Sequence, residues 1–205
     1  MRTLRGRLWV GGVVGPGAFV VAWIGAGAAT EGYSPVDDAI SRLAAQGAAT
    51  RAVMTGGFVA FGVGVPLYAA ALRATLPGRA WLAAAASGVA TLGVALFPLD
   101  RSQVGDRFHA AFAAAGYAAL AVTPLLAARP LWRRGRRGAA VASMVIGAAS
   151  GICLAATVVG PAHGLFQRVG LTSVDAWLVA TAVTVARGHI GPEVHQPRGT
   201  ATTTS

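Results

Sequence analysis

Asp106 and His109 stand three residues apart, the spacing that puts two side chains on one face of a helix. A carboxylate so placed can orient an imidazole and favour its charged form. Such a pair works as a general base or as part of a metal site. The same two residues equally read as a helix-start cap beside an interfacial His. Asp175 raises a different question, because it lies inside the last apolar run, after Gly170-Leu171-Thr172. A carboxylate in hydrocarbon costs on the order of 3 kcal/mol unless it is paired or hydrated. Arg168, Thr172, His163, Arg42 and Arg101 are the residues available to meet it. Asp175 is then either half of an ion pair tying helices together or the floor of a polar pocket below the surface. Together Ser41, Arg42, Asp100, Asp106, His109, His163, Arg168 and Asp175 make up the candidate polar site.

Several chemistries are excluded by what the chain lacks. There is no HExxH, no H-x-x-x-H and no Cys pair, so a four-ligand zinc site has no support; His109, His163 and Asp100 could converge, but nothing in their spacing requires it, and no metal is assigned. No G-x-S-x-G is present, so a serine hydrolase has no support. All 17 basic residues are Arg, which removes the P-loop lysine and the Schiff-base lysine. No cofactor is expected. Without Asn there is no N-glycosylation sequon. The single cysteine, Cys153, lies in an apolar run and reads as a small buried residue.

The elements that must position these residues follow from composition. Of 205 residues, 55% are hydrophobic and 12% are charged, about half the charged share of a soluble domain. Mean hydropathy is +0.60. The apolar residues gather in long runs rather than amphipathic stripes or the alternation of a β-barrel, so lipid is the solvent for most of the surface. The fold class is all-α: a polytopic membrane helical bundle of six transmembrane helices in one domain. The spans are expected at about 8–29, 52–72, 80–98, 109–128, 139–159 and 170–186, each near the ~20 residues that cross a bilayer core. The first run is too long for the core of a cleaved signal peptide and reads as a retained helix, with a bend possible at Gly15-Pro16-Gly17. Residues 188–205, rich in Thr and Ser, read as a disordered tail.

Arginine placement orients the bundle. With the N-terminus inside, Arg2, Arg5, Arg7, Arg73, Arg79, Arg129, Arg133, Arg134, Arg136, Arg137, Arg187 and Arg198 are inner, and Arg42, Arg51, Arg101, Arg107 and Arg168 are outer. That is 12 against 5, the bias of the positive-inside rule, and both termini are expected in the cytoplasm of a plasma-membrane protein. The Arg133–Arg137 cluster beside Trp132 is the basic inner loop this topology needs, so no nucleic-acid partner is inferred. Acidic residues gather outside, which places any site at the outer mouth. In the first outer loop Ser34-Pro35-Val36-Asp37 has the form of a helix start. Val36, Ile40, Leu43 and Ala44 then share one face, Asp38 and Arg42 form an i,i+4 pair, and Gly47 is a stop. A short amphipathic helix is expected there. Small residues such as Gly57, Gly62, Gly88, Gly93, Gly147 and Gly151 allow close helix packing, within the bundle or in a dimer. The Ala, Gly and Arg bias suggests a GC-rich bacterial genome.

Ile40-Ser41-Arg42-Leu43-Ala44, Phe97-Pro98-Leu99-Asp100, His109 and Gly164-Leu165-Phe166-Gln167-Arg168 resemble the family of bacterial and archaeal membrane proteins known as domain of unknown function 998. The resemblance runs from about Leu8 to Ala186, with Ala44 departing from an expected Gly. It implies a six-helix membrane protein without an established activity, and more distantly a likeness to eukaryotic proteins of the Frag1 and DRAM type. Three functions are consistent with the residues. The first is binding or moving a lipid or small amphiphile at the outer face, with the bilayer as partner. The second is a membrane-embedded hydrolase or lyase using Asp100, Asp106, His109 and His163. The third is an accessory subunit of a membrane complex.

Overall fold

A peptide group in hydrocarbon has no water to bond, so an apolar run must satisfy its amides within itself, as a helix does. The computed structural model describes residues 7–188, which are all-helical with no strand. The helices are α1 Gly11–Ala28, entered through a 3-10 turn at Leu8–Val10, then α2 Arg51–Thr75, α3 Ala80–Leu96, α4 Gln103–Arg133, α5 Arg137–Val159 and α6 His163–Ala186. A five-residue 3-10 helix, Ile40–Ala44, interrupts the loop between α1 and α2. Five of the six long helices are long and apolar enough to cross a membrane. The other, α3, has 17 residues and runs about 26 Å at 1.5 Å per residue, a little short of a ~30 Å core. The tail beyond Gly188, with Glu193 and Arg198, lies outside the described residues, as do Arg2 and Arg5.

Each helix packs on its neighbour in sequence, and α6 returns to α1, closing a ring. Glycine makes the close approaches. A Cβ on Gly64 in α2 would sit 2.7 Å from the Gly11 carbonyl oxygen and 2.9 Å from Gly15 Cα in α1. A Cβ on Gly88 in α3 would sit 2.4 Å from Pro66 Cδ in α2. Gly57, Gly62, Gly93 and Gly147 likewise face other helices of the same chain, so these small residues serve packing within the bundle. The interior holds Phe19, Met54, Phe58, Phe61, Tyr68, Leu131, Val174 and Leu178. Large apolar side chains also cover the outside: Ile152, Val158 and Val159 are 71%, 84% and 87% exposed. An apolar exterior around a partly polar interior is the arrangement a lipid solvent selects.

Two expectations need correction. The first long loop is not one helix from Ser34 to Gly47: only the 3-10 helix Ile40–Ala44 turns the expected Ile40, Leu43 and Ala44 inward and leaves Arg42 exposed. One turn does form. Asp37 N–H donates to Ser34 Oγ (3.2 Å), Ser34 N–H to Asp38 Oδ2 (2.8 Å) and Asp38 N–H to the Ser34 carbonyl (2.8 Å). The chain then turns extended at Ala39 before the 3-10 helix. The reason is competition for carbonyls. Those of Pro35 and Asp38 accept from Arg168, and that of Val36 accepts from Leu165 N–H, so they are satisfied without the next helical turn. With the helix broken, Asp38 and Arg42 do not pair. Second, α4 and α6 start earlier than hydropathy indicates, at Gln103 and His163. Their polar first turns are held by side-chain and tertiary bonds that an apolar run does not reveal.

Candidate functional site

One end of the bundle is fastened by polar bonds between distant segments. Arg168, on the second turn of α6, is only 6% exposed. Its Nη1 donates to the carbonyls of Pro35 (2.7 Å), Asp38 (2.9 Å) and Gly164 (2.8 Å), and its Nη2 donates to the Tyr33 hydroxyl. The guanidinium lies between the rings of Trp23 and Tyr33, 5.3 and 5.4 Å from their centroids. Burial pushes the Tyr33 hydroxyl above its ordinary pKa against the opposing pull of Arg168, so Tyr33 stays neutral and donates onward to the Ala39 carbonyl (3.3 Å). A planar fork with fixed donors suits several carbonyls at once, which a lysine could not match. Gly164 lets this loop approach: a Cβ there would lie 2.5 Å from the Asp38 carbonyl oxygen.

Next to Arg168, Gln167 bridges the loop and the bundle. Its Oε1 accepts from Ile40 N–H (2.8 Å), and its Nε2 donates to the Tyr117 hydroxyl on α4. Tyr117 therefore receives one bond and keeps its own O–H as a donor. His109, also on α4 and buried, bonds the Phe97 carbonyl through Nδ1 at 2.7 Å. Since a carbonyl only accepts, Nδ1 carries the proton. The Val94 carbonyl also faces the ring.

Below this fastening lies an interior cavity of about 50 Å³. Its walls are the rings of Phe19, Phe58, Phe61, Phe112 and Tyr117, with Ser41, His109 and Gln167 towards the loop and Ser87 and Thr91 from α3. Asp175 closes it from α6, 2% exposed. Neither Asp175 carboxylate oxygen has a hydrogen-bond partner in the protein, nor does the buried hydroxyl of Thr172. Asp175 is 12 residues into α6, roughly 18 Å along it and deeper than a span beginning at Gly170 would place it. On the lipid side, a groove of about 370 Å³ runs between α4 and α5, walled by Ala110, Ala114, Ala118, Gly151, Leu154 and Val158. Cavity and groove share Ala113 and Tyr117 in their walls.

The candidate residues fall into three places. Ser41, His109 and Asp175 line the cavity. Arg168 is buried beside it but engaged with the loop. Arg42 and Asp100 form an ion pair at 3.1 Å on the surface, both about half exposed. Asp106 accepts from Asp100 N–H (3.0 Å), and it stands in the first turn of α4, which Ser102 caps through Gly105 N–H. His163 is exposed at the start of α6. No hydrogen bond joins Asp106 to His109, though the carboxylate is near enough to act on the imidazole through its charge; each bonds a backbone group. Among the described residues no three His, Cys, Asp or Glu side chains come together as a metal site requires. Sequence reasoning passed over Tyr117, Tyr33 and the aromatic wall, which carry no motif. Gln167 was visible only inside the Gly164–Arg168 string.

A family model described as a protein of unknown function, DUF998, matches residues 13–184. No curated protein and no solved structure matches the chain.

Proposed function

The chain belongs to the DUF998 family, whose activity is unknown, and on that premise we propose that it is a multi-pass membrane protein binding a small amphiphile taken from the outer leaflet. The reading rests on one observation: the lipid-side groove and the Asp175 cavity meet at Ala113 and Tyr117. An apolar chain suits the groove of small side chains, and a polar end group suits the cavity beside it. A cavity of about 50 Å³ holds about three to five non-hydrogen atoms, taking roughly 10–15 Å³ for each water-sized group. A whole diacyl lipid is therefore too large to be enclosed, whereas a head group or the end of a small amphiphile fits. The protein sits in the plasma membrane with both termini cytoplasmic, and α3 makes the sixth crossing, packed between α2 and α4. Hydrolysis has weaker support, because Asp106 and the Nδ1 of His109 are committed to backbone groups.

The test is to plug the junction. Ala113→Phe puts a ring where groove and cavity meet. Protein purified in mild detergent is extracted and its bound amphiphiles are identified by mass spectrometry. The wild type is expected to carry one amphiphile class in stoichiometric amount, and folded Ala113→Phe is expected to lose it. Equal, nonspecific lipid in both proteins would overturn the reading and leave a role as an accessory subunit.

A further inference from the structure

We infer that the polar group received by this cavity is a small organic ammonium, with Asp175 as its counter-ion and Phe19, Phe58, Phe61, Phe112 and Tyr117 as its cage. The inference deepens the amphiphile reading and rests on it.

Asp175 is the starting point. A buried carboxylate needs a cation or several hydrogen-bond donors, and both of its oxygens are unpartnered. Among the described residues no Arg or His side chain bonds it; His109 lines the same cavity, but its Nδ1 is given to the Phe97 carbonyl. Arg168 is the nearest basic residue along α6, two turns away, and its Nη donors go to Pro35, Asp38, Gly164 and Tyr33. A cation entering from outside would complete it. The wall decides which kind. Five aromatic rings surround the cavity, and ring faces attract cations while accepting the alkyl groups around an ammonium nitrogen. An inorganic cation would want about six oxygens. Here the lining is mainly aromatic and aliphatic carbon. Size agrees as well: a nitrogen with its alkyl substituents is about four or five non-hydrogen atoms, which matches the space.

The source of the ammonium is either a lipid head group or a free solute, and the probes separate them. The full chain is placed in phosphatidylglycerol nanodiscs. Binding of choline is compared with 3,3-dimethyl-1-butanol, which has the same shape without the charge, at ionic strength held constant with sodium chloride. Wild type is expected to prefer choline by about tenfold or more, and Asp175→Asn to erase the preference. Asp175→Asn is expected to melt no lower than wild type, because it removes an unpaired buried charge. Loss of choline binding in phosphatidylcholine nanodiscs assigns the site to a lipid head group; retention assigns it to a free solute. Equal binding of the two probes, no binding of either, a preference that survives Asp175→Asn, or sodium matching choline in stabilising the wild type would each overturn the ammonium assignment. Amphiphile loading that is still abolished by Ala113→Phe would then keep the broader reading alive, so the two can fail separately.

Discussion

Arg168 and Asp175 are buried charges on one helix, and the chain treats them differently. Arg168 is met by three carbonyls, a hydroxyl and two ring faces. Asp175 is met by nothing. That contrast separates a structural charge from one left open for a ligand, and it makes the structural assignment testable. In Arg168→Lys a compact ammonium with three donors replaces a fixed fork. It cannot reach Tyr33 and all three carbonyls together, so some buried acceptors are left without donors. Each such orphan costs about 1–3 kcal/mol. The variant is expected to lose roughly 2–4 kcal/mol of unfolding free energy on these terms, with new proteolytic cleavage around residues 34–40 while the helices stay resistant. Unchanged denaturation and cleavage would mean that the loop is held by something other than this guanidinium. By contrast, the Arg42–Asp100 pair is half exposed on both sides and is worth about 0–1 kcal/mol.

At the scale of elements, the two outer turns that lead into α4 and α6 share a backbone feature. Asp100 and Ala162 have φ of 63° and 58°, the only positive values outside glycine among the described residues. Asp100 has compensation, because its N–H is bonded by Asp106 and its carboxylate by Arg42. Ala162, just before α6, has no side-chain cap. A left-handed alanine costs about 1–2 kcal/mol. Ala162→Gly is therefore expected to raise stability by up to about 1 kcal/mol, once glycine's greater unfolded-chain entropy is subtracted. Two residues on, Gly164→Ala is expected to do the reverse, since its Cβ would collide with the Asp38 carbonyl. Thermal unfolding of the two variants side by side checks both signs. These elements also show where the sequence could be read and where it could not. Long apolar runs announced the helices because hydrocarbon leaves the backbone no alternative. Helix ends were missed wherever a polar turn was stabilised from afar, as at Gln103 and His163. The outer loop failed for the same reason. Ser34 does begin a helical turn, but Arg168, more than a hundred residues later, takes the carbonyls that would extend it. The candidate site was half legible: Asp175 stands out as a charge in an apolar run, whereas a cage built from Phe and Tyr on three helices is indistinguishable from core in one dimension. The four strings that carry the family resemblance nevertheless prove to be one another's partners. Ile40 meets Gln167, Arg42 meets Asp100, and His109 meets Phe97.

For the whole molecule, the decisive quantity is the direction of insertion, because the proposal draws its ligand from the outer leaflet. The Arg168 fastening and the long first loop lie at one end of the bundle, and the cavity runs from beneath them to mid-helix at Ser87 and Asp175. The opposite end carries Arg73, Arg79, Arg129, Arg133, Arg134 and Arg137 close to helix ends, with Arg73 over the Trp81 ring at 4.7 Å and Arg134 donating to the Thr75 carbonyl at 2.6 Å. Arginines near helix ends resist translocation, so the proposal puts that end in the cytoplasm and the cavity beneath the outer face. The two ends can be told apart chemically. In a Cys153→Ala background, which removes the only native thiol, Gln46→Cys places a thiol on an exposed position of the first loop, and Pro77→Cys places one on the exposed turn between α2 and α3. In intact cells a membrane-impermeant maleimide is expected to label Gln46→Cys fully, and Pro77→Cys only after permeabilisation. The opposite labelling would invert the molecule, direct the cavity at the inner leaflet, and oblige any amphiphile it binds to come from the cytoplasmic side. Labelling of both positions from outside would mean that α2 does not cross, which its 25 residues and its burial between α1 and α3 argue against.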